Sequence, residues 1–464
     1  MANSGGEAPD LIVAGAGGGL VAALRAAELG LSVLVVEASE HFVRGNNTAM
    51  STAMIPGAGT RWQAAAGIDD SPGRYVEDIK RKTKGTADEV LAEALAQVSG
   101  RLVTWLADYA HLPLELVTDF DYPGHSRPRC HTVPGRSGRK LLAALADSVR
   151  AQRRIDLLVP ARLIDVHVDG ESVDHVVIQY PDARTEAVPA RAVLLATNGF
   201  GADPDLVAKY IPEMAGATYH GSSESRGDAL RIGIRLGADT GYLDAYQGHA
   251  ALARPVGTLA GWATVMHGGF LVNAEGERFG DETVGYSEYA REVLSQPGGW
   301  ALIVLDRRVH DACLAFQDFR DTVESGALRW GEDPSELARS LGIEPHRFAR
   351  TIDHAAAVAR GQAADPFGRT SWGQPLQPPY AAVQVFPALF HTQGGLRVDA
   401  CGRVLRPDGS VIGGVYASGG AAMSISGHGP TGYLAGNGLL PALGLALLAA
   451  DHCAQAPDGH ISAR

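Results

Sequence analysis

A run of glycines and a carboxylate about twenty residues beyond it are the first residues in this sequence with chemistry to offer. Gly15-Ala16-Gly17-Gly18-Gly19 comes early, and Glu37 follows. Glycines let a backbone approach a pyrophosphate closely, and a carboxylate about twenty residues on accepts the hydroxyls of an adenosine ribose. An acid at that point also disfavours a 2′-phosphate, so the pattern suits FAD or NAD better than NADP. Counted from Gly15, the third glycine of G-x-G-x-x-G would fall on Leu20, so the run is one residue tight. A second set of reactive side chains lies in residues 119–131, which hold Tyr122, Pro123, Gly124, His125, Arg127, Arg129 and His131. Pro and Gly make this stretch a loop. It either lines a substrate mouth or faces solvent.

Those groups need elements to hold them. Residues 10–13 are a short apolar run that reads as a buried strand, and residues 32–36 are another, ending at Glu37. Between them residues 20–29 read as a helix, whose N-terminus offers free N–H groups and a positive dipole end to a phosphate. Strand, glycine turn, helix, strand and acid together make the phosphate-binding half of a dinucleotide fold. Further along, residues 87–107 carry Leu91, Leu95, Val98, Leu102 and Leu106 on one helical stripe, and residues 137–152 form another helix. Residues 157–168 and 173–180 alternate as a hairpin around Asp169-Gly170. Residues 439–450 are strongly apolar but too short to span a bilayer, so they read as a buried helix.

At 464 residues the chain is too long for one compact core, and two domains are expected. A hydrophobic share of 45% and a charged share of 20% are those of a globular protein. The net charge of −12 argues against a nucleic-acid surface. Cys130, Cys313, Cys401 and Cys453 form no C-x-x-C pair, so neither a disulfide framework, a zinc site, an iron–sulfur centre nor a c-type haem is expected. Residues 1–9 lack the basic start and apolar core of a secretion signal, and the expected location is cytoplasmic.

Several short segments then occur in a fixed order. They are Arg44-Gly45-Asn46-Asn47-Thr48-Ala49-Met50-Ser51, Ala196-Thr197-Asn198-Gly199, Gly227-Asp228, Gly276-Glu277-Arg278-Phe279, His391-Thr392-Gln393-Gly394-Gly395, Gly414-Val415-Tyr416-Ala417-Ser418-Gly419-Gly420 and Gly432-Tyr433-Leu434-Ala435-Gly436-Asn437-Gly438-Leu439. Together they resemble the motifs of the FAD-dependent fumarate reductase and succinate dehydrogenase flavoproteins, in their 3-ketosteroid dehydrogenase-like branch. The resemblance implies an α/β fold: a Rossmann-like FAD-binding domain of the glutathione-reductase type with an inserted α+β capping domain. The implied domains are residues 1–241 and 377–464 for FAD and residues 242–376 for a cap that closes over the flavin. FAD contacts are implied at Gly15, Gly17, Gly18, Gly19, Glu37 and Ala38, along the loop at Arg44, Asn46, Asn47, Thr48 and Ser51, and at Ala161. Others are implied at Ala196, Thr197, Asn198, Gly199 and Asp228, and at Gly419, Gly420, Gly436, Asn437 and Leu439. No histidine lies between His41 and His111, where some relatives attach the cofactor, so noncovalent FAD is expected. Arg278 is expected to be structural, paired with a neighbouring acid.

Carried over residue by residue, the two substrate-binding histidines of the fumarate reductases match His249 and His391. Their relay glutamate and arginine fall on Trp262 and Val265, and their proton-transferring arginine on Tyr286. A last carboxylate-binding arginine falls at or beside Tyr433. A dicarboxylate needs cationic clamps, and an unpaired carboxylate in a low-dielectric site costs on the order of several kcal/mol, so fumarate and succinate fit poorly. The steroid enzymes resembled here keep a tyrosine at the position of Tyr286, where its phenolate removes a proton next to a ketone. Their carbonyl-binding tyrosine, however, falls on Gly427. The expectation is therefore a flavin enzyme that desaturates a carbon–carbon bond beside a carbonyl, with Tyr286 as proton acceptor and His249, His391 and Tyr433 around the substrate. Two alternatives stay open: an ene-reductase acting on an enone or enoate, or a catalytically inactive flavin-binding or electron-transfer subunit. The partners expected are a small carbonyl or enone substrate and a separate electron donor or acceptor, with no nucleic acid and no membrane span.

Overall fold

In the computed structural model, residues 8–119, 121–122, 124–170 and 172–455 are described. The N-terminal segment judged for a leader thus lies mostly outside the described residues, as does Pro123 of the polar loop. The described chain divides into two compact units. One holds the residues up to Pro212, Gly221–Tyr246 and the residues from His391 on; the other holds Glu213–His220 and Gln247–Phe390.

In the first unit a six-stranded sheet runs in the spatial order Arg403–Leu405, Val411–Ala417, Ala192–Leu195, Leu11–Ala14, Val33–Val36, Ile155–Leu158. Its ladders are parallel except at the Arg403–Leu405 edge. The apolar runs read as strands earn that place: Leu11–Ala14 and Ala192–Leu195 are buried at every residue, as parallel strands covered on both faces must be. Helix Gly19–Glu28 connects the first two strands. Helix Leu439–Gln455 packs against it and against Glu89–Asp108, whose leucine stripe is buried as its spacing predicts. That contact explains why residues 439–450 are apolar almost all round. Among the described residues no helix is long and apolar enough to cross a membrane.

One local reading needs correction. Residues 157–168 are not one strand. Ile155–Leu158 extends the parallel sheet, pairing with Val33–Val36, and the hairpin partner of Ser172–Gln179 is a separate strand, Arg162–Asp169. Proline 160 separates them, since it has no N–H for a ladder.

The second unit is built on a mainly antiparallel sheet around the long strand Tyr380–Thr392. Ala301–Asp306 pairs with it antiparallel, residue by residue from Val385 back to Tyr380. Tyr246–Ala253 lies on its other side, and Phe270–Val272 follows Ala301–Asp306. The same long strand continues through Phe390, the end of the unit.

Candidate active site

The tight glycine run is explained by what surrounds each glycine. A Cβ on Gly15 would lie 2.3 Å from the Ala196 carbonyl oxygen, and its φ is +103°. On Gly18 a Cβ would lie 2.2 Å from the Ala442 oxygen, and on Gly19 it would lie 2.6 Å from Val13 Cγ1. Gly19 therefore brings helix and strand together, the task of the third glycine in the longer fingerprint. Gly17 stands against the next loop: its Cβ would lie 3.1 Å from Thr48 Oγ1 and 3.3 Å from Asn46 Oδ1. Glu37 is buried at the end of its strand. Its Oε2 accepts from Ala16 N–H (2.7 Å) and its Oε1 from Ser39 N–H (2.8 Å). Burial pushes its pKa up, against the pull of those amide hydrogen bonds. Ala161 N–H closes the corner by donating to the Glu37 carbonyl (2.8 Å).

The other motifs meet the same corner. Asn46 Oδ1 caps its own loop by accepting from Thr48 N–H (2.8 Å), and Asn47 Oδ1 accepts from Ser222 N–H (2.7 Å). Ser51 Oγ donates to the Thr48 carbonyl (2.7 Å), whereas Arg44 is exposed. Gly199 and Gly420 face each other, since a Cβ on Gly199 would lie 3.1 Å from Gly420 O and a Cβ on Gly420 would lie 2.3 Å from Asn198 Oδ1. Asp228 opens a helix at Gly227, but its carboxylate pairs with Arg162, which also holds Glu224. Gly436 has φ +88° and would put a Cβ 2.4 Å from Pro56 Cδ, and Leu439 starts the last helix. Among the described residues the buried hydroxyls of Thr197, Ser418 and Ser424 have no hydrogen-bond partner. A glycine cradle, a buried carboxylate and orphaned hydroxyls on the neighbouring motif segments fit a bound dinucleotide, because a buried hydroxyl is rarely left unpaired.

The four residues expected to act on substrate form a pair on each unit. On the second unit, His249 stacks on Tyr286 (centroids 4.8 Å, planes 24° apart) and on Phe390 (5.0 Å, 19°), with Trp262 edge-on at 6.4 Å. Burial lowers the His249 pKa to about 3. Its Nδ1 accepts from Ala251 N–H (3.1 Å), so the neutral ring carries its hydrogen on Nε2. Tyr286 is the first residue of helix Tyr286–Leu294, preceded by Gly285 at φ 125°, ψ 154°. The Ser287 hydroxyl accepts from Gly248 N–H (3.0 Å), fastening the strand that carries His249 to that helix. On the first unit, His391 meets Tyr433 edge to face at 6.2 Å, and burial lowers its pKa to about 4. Trp262 and Val265, at the relay positions, are buried.

Several described side chains of the 119–131 stretch are turned inward. Arg129 is buried, with Nε and Nη2 on Asp70 (both 3.0 Å) and Nη1 on Asp78 (2.5 Å). His131 is buried as well, its ring between Thr60 Oγ1 (3.0 Å) and the Arg129 carbonyl (2.9 Å). His125 spans Arg129 Nη1 (3.2 Å) and the Ala435 carbonyl (3.0 Å). Tyr122 packs on a small core of Met54, Val117, Cys130 and Ala435. Arg278 pairs with Glu282 and Asp365, as expected of a structural residue. Among the described residues no group of three or more histidines, cysteines or acids is arranged to hold a metal.

A family model described as an FAD binding domain matches residues 10–439. The NADH:fumarate oxidoreductase of Klebsiella pneumoniae (strain 342) is 28% identical over 415 residues, which cover 88% of this chain and 44% of that protein. The open conformation of a flavocytochrome c3 fumarate reductase superposes with a TM-score of 0.81 at 25% identity, over 97% of this chain and 79% of that one. The 3-ketosteroid-Δ4-(5α)-dehydrogenase of Rhodococcus jostii, solved with 4-androstene-3,17-dione, shares the fold at a TM-score of 0.74 and 24% identity, over 96% of each chain.

Proposed function

The chain belongs to the FAD-binding-domain family, and from that premise we propose that it desaturates a carbon–carbon bond next to a ketone or other carbonyl. It is an FAD-dependent oxidoreductase of the fumarate reductase and ketosteroid dehydrogenase group. Bound FAD supplies the hydride acceptor. Gly15, Gly17, Gly18, Gly19 and Glu37 would hold its pyrophosphate and ribose, Thr197 and Ser418 would offer it hydroxyls, and no loop histidine is present to attach it covalently.

The observation that carries this reading is the His249–Tyr286 pair. His249 is neutral and has its hydrogen on Nε2, which suits it to donate to a carbonyl oxygen. A carbonyl that receives such a bond holds the enolate-like charge better, and the neighbouring C–H becomes more acidic. Tyr286 takes that proton. A phenol titrating near pH 10 is a poor base unless a neighbour tunes it, and the neighbour stacked on Tyr286 is His249. Trp262, Val265 and Tyr286 occupy positions at which the fumarate reductases keep a charged relay, which supports an uncharged substrate carbonyl over a dicarboxylate. The likeness to fumarate reductases supports the reverse reaction on an enone or enoate, with Tyr286 giving the proton. In either direction electrons pass to or from a separate carrier.

The test is anaerobic mixing of the FAD-loaded protein with a panel of cyclic ketones and enones while the flavin absorbance is followed. Bleaching by a ketone supports desaturation, and recovery of the reduced flavin by an enone supports the reverse. Tyr286→Phe keeps the ring and its stacking, so FAD stays bound while flavin reduction slows by at least ~10²-fold, the scale of general acid–base catalysis. Near-normal reduction in that variant would move the base elsewhere. Acid precipitation of the native protein should release its colour into the supernatant; colour retained in the pellet would mean a covalent flavin.

A further inference from the structure

Four polar residues of the first unit, Tyr75, Asn437, Ser426 and Gln393, pass hydrogen bonds along in one direction and end at the imidazole of His391. The buried Tyr75 hydroxyl donates to Asn437 Oδ1 (3.4 Å), and Asn437 Nδ2 donates to Ser426 Oγ (3.4 Å). Ser426 Oγ donates in turn to Gln393 Oε1 (2.8 Å). Tyr75, Asn437, Ser426 and Gln393 are all at least 98% buried, so none has water as a substitute partner. Burial pushes the Tyr75 pKa up, which keeps its proton in place at the head of the chain.

The bond from Ser426 turns the Gln393 amide so that its nitrogen stands 3.3 Å from each ring nitrogen of His391. An amide nitrogen can only donate, and at equal distance from the two ring nitrogens it lies over the ring face, so the ring it meets must be electron-rich and therefore neutral. The Thr392 carbonyl lies 3.2 Å from Nδ1 and can only accept, so Nδ1 must carry a hydrogen. One form of the ring meets both conditions: neutral, with hydrogen on Nδ1 and a bare Nε2. The imidazolium fails, because the Gln393 amide would then point N–H at a cationic ring.

We propose that this chain makes Gln393 a positioning residue that holds His391 in the neutral Nδ1–H form, leaving His391 no N–H to give to a substrate carbonyl. The bearing on substrate rests on the function proposed above: His249, whose hydrogen is on Nε2, is then the donor to the carbonyl, and His391 is not.

The experiment is 15N NMR of the FAD-loaded protein labelled at histidine, with the His391 ring signals assigned by their loss in His391→Gln. The expected result is a protonated Nδ1 and a bare Nε2 from pH 8 down to roughly pH 5, an interval set by burial of the ring. Gln393→Glu keeps the size and still accepts from Ser426, but a carboxylate cannot donate. It should convert His391 to the imidazolium and raise the pH of its titration by roughly 2 or more, with the His249 signals unmoved. Ser426→Ala frees the amide to turn over, so the His391 signals should split between the two neutral forms. A wild-type His391 protonated on Nε2, or a Gln393→Glu protein with unchanged His391 signals, would overturn the proposal. Because these spectra need no turnover, a protein with the expected ring form that fails to react with any ketone or enone would count against the proposed function alone.

Discussion

Each of the two compact units buries a cluster of arginines and carboxylates, and the two clusters are built to different ratios. In the first unit one fully buried arginine, Arg129, serves both Asp70 and Asp78, and only the half-exposed Arg81 adds charge at Asp78. Tyr75 lies under the guanidinium, 4.6 Å from it. In the second unit two arginines share the load. Arg278 holds Glu282 and Asp365, while Arg369 holds Glu282 from the other side and also donates to the carbonyls of Val265, Gly269 and Ser371. Trp372 stacks against both guanidinium groups, at 4.4 and 4.3 Å. The difference teaches where positive charge goes in this chain. Its buried arginines are consumed in holding loops and turns, and among the described residues none of them stacks on His249 or His391, the histidines proposed to meet substrate.

The comparison breaks most visibly if the two clusters lose an arginine at equal cost. Arg129→Leu leaves two buried carboxylates without their common cation and should destabilise the protein by ~3–5 kcal/mol. Arg278→Leu strips the cation from Asp365 but leaves Glu282 on the buried Arg369, whereas Asp78 would keep only the half-exposed Arg81, so the Arg278 change should cost less than Arg129→Leu. Denaturant midpoints of the two variants, measured with FAD bound, decide it; equal midpoints would mean that the ratio of charges does not matter.

Acid should separate the units next. Burial lowers the pKa values of His125, His131 and His391 to about 4 in the first unit and that of His249 to about 3 in the second. Their folded values lie below the unfolded value near 6.5, so the stability they carry is complete above that pH and is lost as the pH falls towards 4. At pH 6 each of these four costs about 0.8 kcal/mol, so the three of the first unit together cost ~2.5 kcal/mol and His249 ~0.8 kcal/mol, while His452 in the first unit and His220 in the second, whose values burial also lowers, add one group on each side. Hydrogen exchange at pH 7.5 and 6, corrected for intrinsic rates, should show opening of the first unit's segments growing more than the second's. Equal growth would show that other groups dominate.

The smallest contrast lies at two glycines that start helices. Gly285, at φ 125°, ψ 154°, sits in a region open essentially to glycine alone, whereas Gly227, at φ 79°, ψ 27°, is left-handed. Gly285→Ala should cost ~2 kcal/mol and disturb Tyr286, and Gly227→Ala about 1 kcal/mol. Thermal melts rank them, and a slower flavin reduction in Gly285→Ala alone would tie its backbone to the placement of Tyr286.

What could be read in the sequence was mostly what one segment dictates to itself. The strands around Gly15 and Ala192, the helix at 87–107 and the ordered motifs up to Leu439 follow from short-range pattern. So does the structural pairing of Arg278, because Glu282 is one helical turn away. The fate of Arg129 was not legible: its partners Asp70 and Asp78 lie 59 and 51 residues earlier, and only the fold brings them together. Likewise the partner of Asp228, Arg162, lies 66 residues away. The forms of the two histidines were hidden for another reason. A ring's hydrogen is fixed by neighbours that carry no sequence signature, the Ala251 amide for His249 and the Thr392 carbonyl with the Gln393 amide for His391.

Gly427 holds a lesson about the order of substitutions. Its φ is +64°, and a Cβ there would lie 2.3 Å from Thr86 Oγ1. Thr86 is not free to move aside, since its hydroxyl donates to the Thr83 carbonyl (2.8 Å) and its own carbonyl accepts from Tyr242 (2.7 Å). A tyrosine like that of the steroid enzymes therefore cannot enter this position as a lone substitution. The loop at Thr86 has to give way first, and by itself that change gains nothing. Directed evolution towards steroids should start at Thr86 and reach Gly427 second.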